Sequence, residues 1–127
     1  MAKNDQTAHC MKLLAGKGLL VERVERWIPS RPPRTYDLFG ILDVLAVNPT
    51  RRQTIGVQVT SRGELSKRRR KMIDSPHTRQ LIRAGWRLEL WGYDKRGKAT
   101  RLRREVLMWH NDNNVDIEFV AVEDGEV

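Results

Sequence analysis

The chain has 127 residues, 24 Lys and Arg against 16 Asp and Glu, and a formal net charge of +8. That length supports one domain whose core needs no covalent staple, and a single cysteine, Cys10, excludes an internal disulfide. No CxxC or paired-histidine spacing points to zinc, no apolar run reaches the roughly 18 residues of a membrane span, and no signal-peptide pattern is present, so a soluble, intracellular protein is expected.

Charge is the informative part of the composition. Six acids (Asp112, Asp116, Glu118, Glu123, Asp124, Glu126) fall in the last sixteen residues, which hold no Lys or Arg, so residues 1 to 111 set 24 cations against ten acids. A body this basic predicts a nucleic-acid partner, because phosphates are the common biological polyanion. A membrane surface fits less well, since no apolar amphipathic helix offers an anchor. The chain therefore divides into a basic α/β domain, 1–111, and an acidic C-terminal strand or tail, 112–127.

In chain order, Asp5 or Thr7 caps a short helix in which Ala8, Met11, Leu14 and Ala15 recur at helical spacing, and Gly16 and Gly18 end it. Leu19 to Ile28 reads as a first strand, with Leu20, Val24 and Ile28 on one side and Val21, Glu25 and Trp27 on the other. Pro29 to Arg34 is proline-rich and reads as an extended loop from which Arg31 and Arg34 could reach a phosphate. Asp37 opens the second strand, with Gly40 as a bulge.

Seven of the eight residues from Ile41 to Asn48 are apolar or Asp43, which predicts a strand covered on both faces. A carboxylate there is costly unless paired, hydrogen-bonded or bound to a cation. Asn48-Pro49 marks a turn, so TIGVQVTS should return as the antiparallel partner, with Gln58 and Thr60 on one face and Val57 and Val59 on the other. Asp43, Gln58 and Thr60 would then share a surface of hard oxygens suited to magnesium or manganese.

This order of an Asp on a buried strand, a hairpin, two polar residues flanking an apolar one, and a basic helix resembles the PD-(D/E)xK nuclease superfamily. Within it the chain looks like small archaeal-type Holliday-junction resolvases and related phage endonucleases, over roughly residues 19 to 90. By position, Asp43 matches the motif Asp, Gln58 the Asp/Glu and Thr60 the Lys, so two of the three depart from the pattern. The resemblance implies a restriction-endonuclease-like fold in a phage- or prokaryote-encoded protein. It also implies DNA, double-stranded or branched, as substrate, a two-fold dimer, and a magnesium or manganese ion held by Asp43, Gln58 and the Val59 carbonyl. Such resolvases carry a further acid near the N-terminus. Here Glu25, with Glu22 as second choice, could serve from the strand, against the alternative of a solvated or Arg-paired residue. Asp37 is either a second metal-site acid or the partner of a nearby Arg. A non-catalytic nucleic-acid-binding module of the same fold is the alternative that Gln58 and Thr60 would permit.

Ser61-x-x-Glu64 reads as a capping box opening a helix with few apolar positions, Leu65, Met72 and Ile73, and five consecutive cations, Lys67, Arg68, Arg69, Arg70 and Lys71. With Arg62, this run is expected to grip phosphates, and Lys67 is the candidate for the ammonium that Thr60 lacks. Ser75 and Pro76 start a second helix over 76–84, stopped by Gly85. WRLELWGY then alternates with Trp86, Leu88 and Leu90 inward, 94–97 turns, and Ala99 to Met108 returns as a basic strand. The roles of Trp91 and Trp109, core or base-stacking, stay open. The order α-β-β-β-α-α-β-β predicts a single α/β domain with a central mixed sheet of about five strands flanked by helices.

Overall fold

A computed structural model describes residues 2–96, 99–110 and 116–123. Helix α1 (Lys3–Gly16) precedes strands β1 (Leu20–Arg23), β2 (Arg26–Ile28), β3 (Arg34–Tyr36), β4 (Val44–Asn48) and β5 (Gln53–Ser61). A 3-10 turn (Arg62–Glu64), α2 (Leu65–Asp74) and α3 (Thr78–Arg83) lead to β6 (Arg87–Arg96), β7 (Ala99–Trp109) and β8 (Ile117–Ala121). The main sheet runs β1-β4-β5-β6-β7-β8, and β2 and β3 form a separate two-stranded ribbon.

Only β5 and β6 pair in parallel among these strands. A parallel pair needs a crossover, and α2 and α3 supply it. The helices therefore cover both faces of a mixed sheet, as an α/β domain requires. On one face Cys10 and Leu14 of α1 pack on Val44, Ala46, Ile55, Val57, Val59, Trp91 and Tyr93. On the other, Leu65, Met72 and Leu81 of α2 and α3 pack on Leu42, Leu88, Leu90 and Leu107. Both sides of β6 are thus buried, including Glu89, whose carboxylate is 0% exposed. Arg87, Trp91 and Arg104 satisfy it at 2.7, 2.9 and 2.9 Å, as a buried charge demands.

The strand expected over 19–28 is two strands in two sheets. No Gly or Pro marks the break, but β1 leaves β4 after Arg23, and Val24 makes one last bond to the Asp43 carbonyl at 3.0 Å. The expected loop over 29–34 is shorter, because Arg34 already belongs to β3. The expected second strand does not begin at Asp37: a tight loop closed by the Leu38–Leu42 bridge intervenes, with Phe39 and Gly40 at positive φ, and β4 starts at Val44.

Cap assignments shift as well. α1 starts at Lys3, a turn earlier than a cap at Asp5 or Thr7, since nothing in Lys3-Asn4-Asp5 opposes helix. Ser61 makes no capping bond and instead accepts one from Gln6 at 3.2 Å. α3 begins at Thr78, with the Ser75 hydroxyl accepting from His77 N–H. The apolar patch after Asp116 forms the last strand, β8, while 111–115, 124–127 and Gly97 lie outside the described residues. Among the described residues, no helix is long and apolar enough to cross a membrane.

Leu65 anchors the start of α2 over β6 at Gly92, where a Cβ would lie 2.8 Å from both Leu65 Cγ and Cδ2. Gly92→Ala is therefore expected to destabilise the fold by about 1–3 kcal/mol through overpacking, read as a lower midpoint in urea with an unchanged m-value.

Candidate functional site

The site is built around Asp43, one residue before β4. Its N–H donates to the Val57 carbonyl at 2.8 Å and its carbonyl accepts from Val24, so its backbone is fixed between β1 and β5. The register of β4 and β5 places Gln58 opposite it. The side chain is 0% exposed. One oxygen, Oδ2, accepts from Gln58 Nε2 at 2.5 Å, Val59 N–H at 2.7 Å and Lys3 Nζ at 2.8 Å. The other, Oδ1, is buried and among the described residues receives no hydrogen bond from an amide, hydroxyl or cationic group.

Two more acids meet it. Asp37 and Asp43 stand just outside the two ends of the Leu38–Leu42 loop, and Glu25 lies where the chain leaves the main sheet for the ribbon. Carboxylate oxygens of Glu25, Asp37 and Asp43 all lie within 4.8 Å of one another. They line an open cleft of about 600 Å³ together with Lys3, Thr60, Arg68 and Lys71.

Such proximity shifts the titration of each acid. Burial, then the hydrogen bond and charge of Asp43, pushes Glu25 up from 4.5 to about 7. Asp37 is raised by burial and by the Asp43 charge, against the pull of Lys71 at 3.3 Å. Burial also acts to raise Asp43, but the Lys3 ammonium and the hydrogen bonds from Glu25, Lys3 and Val59 outweigh it and hold the group below its usual value. Three carboxylates thus face two ammoniums, Lys3 and Lys71. The remaining negative charge is met by a proton on Glu25 or by a cation.

No family model, curated protein or solved structure matches the chain. The chemistry of the site must be read from its own atoms.

Three carboxylates, one of them offering a buried and unpartnered oxygen, fit a hard divalent ion such as magnesium or manganese. Two of the donors expected beside Asp43, the Gln58 amide and the Val59 carbonyl, are engaged within the protein. Gln58 turns its nitrogen to Asp43 and its Oε1 to Lys71 at 3.4 Å, and the Val59 carbonyl accepts from Lys3. Gln58 and Val59 therefore orient Asp43, while Glu25 and Asp37 complete the acidic triad. Glu22 points to solvent on β1. Thr60 is buried at the cleft wall.

The cationic run of α2 divides by helical phase. With Leu65 and Met72 against the sheet, Arg68 and Lys71 fall on the flank that lines the cleft. Arg68 Nε is buried and has no hydrogen-bond partner among the described residues. Arg69 falls on the opposite flank, locked on Glu105 at 2.8 and 2.5 Å. Lys67 is 80% exposed and lies 3.9 Å from Glu64, so it supplies no ammonium to the acids; Arg70 is exposed too. Arg62, Arg31 and Arg34 are exposed outside the cleft. The ammonium at Asp43 comes from Lys3, which no periodicity in the sequence marks.

Because folding raises the Glu25 pKa, this group favours the folded state most below pH 4.5, and that contribution is lost as pH rises toward about 7. Asp43 has the opposite sign, its contribution disappearing only as pH falls below the usual carboxylate value. Glu25→Gln should therefore raise Tm at pH 8 by about 3 °C relative to wild type and have little effect at pH 4.5. Manganese should raise the wild-type Tm more at pH 8 than at pH 5.5, and Glu25→Gln should shrink that rise. Differential scanning calorimetry across pH, with and without manganese, checks each sign.

Proposed function

We propose that this chain is a metal-dependent endonuclease acting on DNA, with a restriction-endonuclease-like fold related to the PD-(D/E)xK nucleases. The observation that carries this reading is the unpartnered Oδ1 of buried Asp43, set among two further carboxylates with raised pKa values at the floor of a cleft flanked by cations. A merely structural buried Asp would have both oxygens satisfied.

Glu25, Asp37 and Oδ1 of Asp43 would hold magnesium or manganese, which when bound supplies Lewis acidity toward a phosphodiester and toward water. The remaining work falls to the protein. Gln58 and the Val59 N–H fix the Asp43 rotamer. Lys3 Nζ donates to the carbonyl of Val59, the residue before Thr60 where the resemblance places a lysine, and supplies positive charge where negative charge develops during attack. Arg68 and Lys71 on the facing wall hold the DNA backbone through its phosphates.

One observation favours a second reading. Lys3 already bridges Asp43 Oδ2 and the Val59 carbonyl, so part of the site's charge is neutralised from within. A binding module that kept the fold without the chemistry would retain such a bridge. Supercoiled plasmid nicking separates the two. The nuclease reading expects nicking with manganese or magnesium that falls at least about 100-fold in Asp43→Asn and in Lys3→Met, with partial recovery in Lys3→Arg and with DNA affinity changed far less than rate. Salt-sensitive DNA binding by the wild type with no nicking under either metal would favour the module.

A further inference from the structure

The β2–β3 ribbon carries two acids of the site at its root and an unexplained aromatic side chain on the next rung. In the ribbon Arg26 pairs with Tyr36, Trp27 with Thr35 and Ile28 with Arg34. Alternation puts Glu25 and Trp27 on one face of their strand, and Thr35 and Asp37 on the same face of the other. Glu25, Thr35 and Asp37 all line the cleft. Trp27 therefore stands one rung above the acids, about 7 Å along the strand from Glu25.

Trp27 is 67% exposed, whereas Trp91 is core and Trp86 and Trp109 pack against the α2 and α3 side of the sheet. The ribbon strands contact mainly each other, so the indole is not needed to seat them. From Arg26 to Tyr36 the chain has three arginines, Arg26, Arg31 and Arg34, and no acid; all three are exposed and none forms an ion pair with a described residue. Alternation puts Arg26 and Arg34 on the ribbon face opposite Trp27, and Arg31 lies in the loop that joins the two strands. The exposed indole thus stands on a ribbon whose net charge is positive, which complements a polyanion that also presents flat rings.

We propose that Trp27 stacks on an unpaired base of DNA whose backbone passes over the acidic cleft, where Arg68 and Lys71 hold its phosphates. Bases inside a duplex have both faces covered by neighbours, so the indole finds a free face only at an unpaired or unstacked nucleotide. The substrate class is thus DNA with an unpaired nucleotide beside the scissile bond. This inference rests on the nuclease reading and adds its substrate selectivity.

The test measures, by fluorescence anisotropy in calcium at low salt, binding of a labelled duplex and of the same duplex interrupted by a short unpaired bulge. Wild type should prefer the bulged DNA by about tenfold, Trp27→Ala should reduce that preference below about twofold, and Trp27→Phe should keep most of it. The manganese-induced rise in wild-type Tm, measured on the same preparation, reports on the acidic site independently. If that rise is present but wild type binds both DNAs equally, or Trp27→Ala keeps the preference, the stacking role is overturned and the nuclease reading stands. If Trp27→Ala instead turns a dimer into a monomer with the preference intact, the indole is a self-association surface and the proposal fails. Absence of both the manganese response and all DNA binding overturns the nuclease reading and this inference together.

Discussion

The asymmetric satisfaction of one buried carboxylate governs the arrangement. Asp43 has no solvent exposure, and a charge so placed costs several kcal/mol unless compensated, on the order of 3–5 kcal/mol for an unmatched buried ion. Compensation is concentrated on Oδ2, from an amide, a backbone N–H and an ammonium belonging to β5 and α1. Among the described residues no amide, hydroxyl or cationic group donates to Oδ1. The strand pairing that fixes Asp43, the helix start that brings Lys3 and the tight loop that returns Asp37 all converge on this one side chain. The fold gathers three carboxylates there, with the ammoniums of Lys3 and Lys71 against them and Arg68 lining the same cleft.

The rest of the electrostatics sorts into two kinds. Glu89 and Glu105 are buried and fully engaged by arginines, Glu89 by Arg87 and Arg104, Glu105 by Arg69 and Arg103, with their pKa values held down despite burial. These are closed networks, and the arginines in them are committed to the fold. Glu25 and Asp37 go the other way, with raised values, because burial and then the neighbouring Asp43 carboxylate disfavour their charged forms. Groups pushed away from their usual titration inside a cleft mark a site more specifically than net charge does.

How much of this could be read in advance depends on the range of each interaction. Asp43 was conspicuous because a single acid interrupts an apolar run, and its pairing with Gln58 followed from a short hairpin whose register alternation fixes. The helical covering of a mixed sheet followed from the alternation of strand and helix patterns. The division of residues 19–28 between two sheets was not legible, since VERVERW has no breaker and the separation is imposed by where the Leu38–Leu42 loop returns. Glu25 was visible as an acid, but its meeting with Asp37 depended on that division. Lys3 had no local signal at all, being one lysine of a polar helix start, 40 residues from its partner. The choice of Lys71 over Lys67 was within reach: at about 100° per residue, taking Leu65 and Met72 as buried already turns position 67 outward and brings 68 and 71 to one flank.

The acidic triad straddles a joint. Asp43 is bonded to the main sheet through its backbone, whereas Glu25 and Asp37 lie at the base of an appendage of two three-residue strands. Anything that tilts this small lever alters the spacing of two carboxylates against the third, so binding of the proposed ion and engagement of the lever would be thermodynamically linked, each strengthening or weakening the other by the same factor.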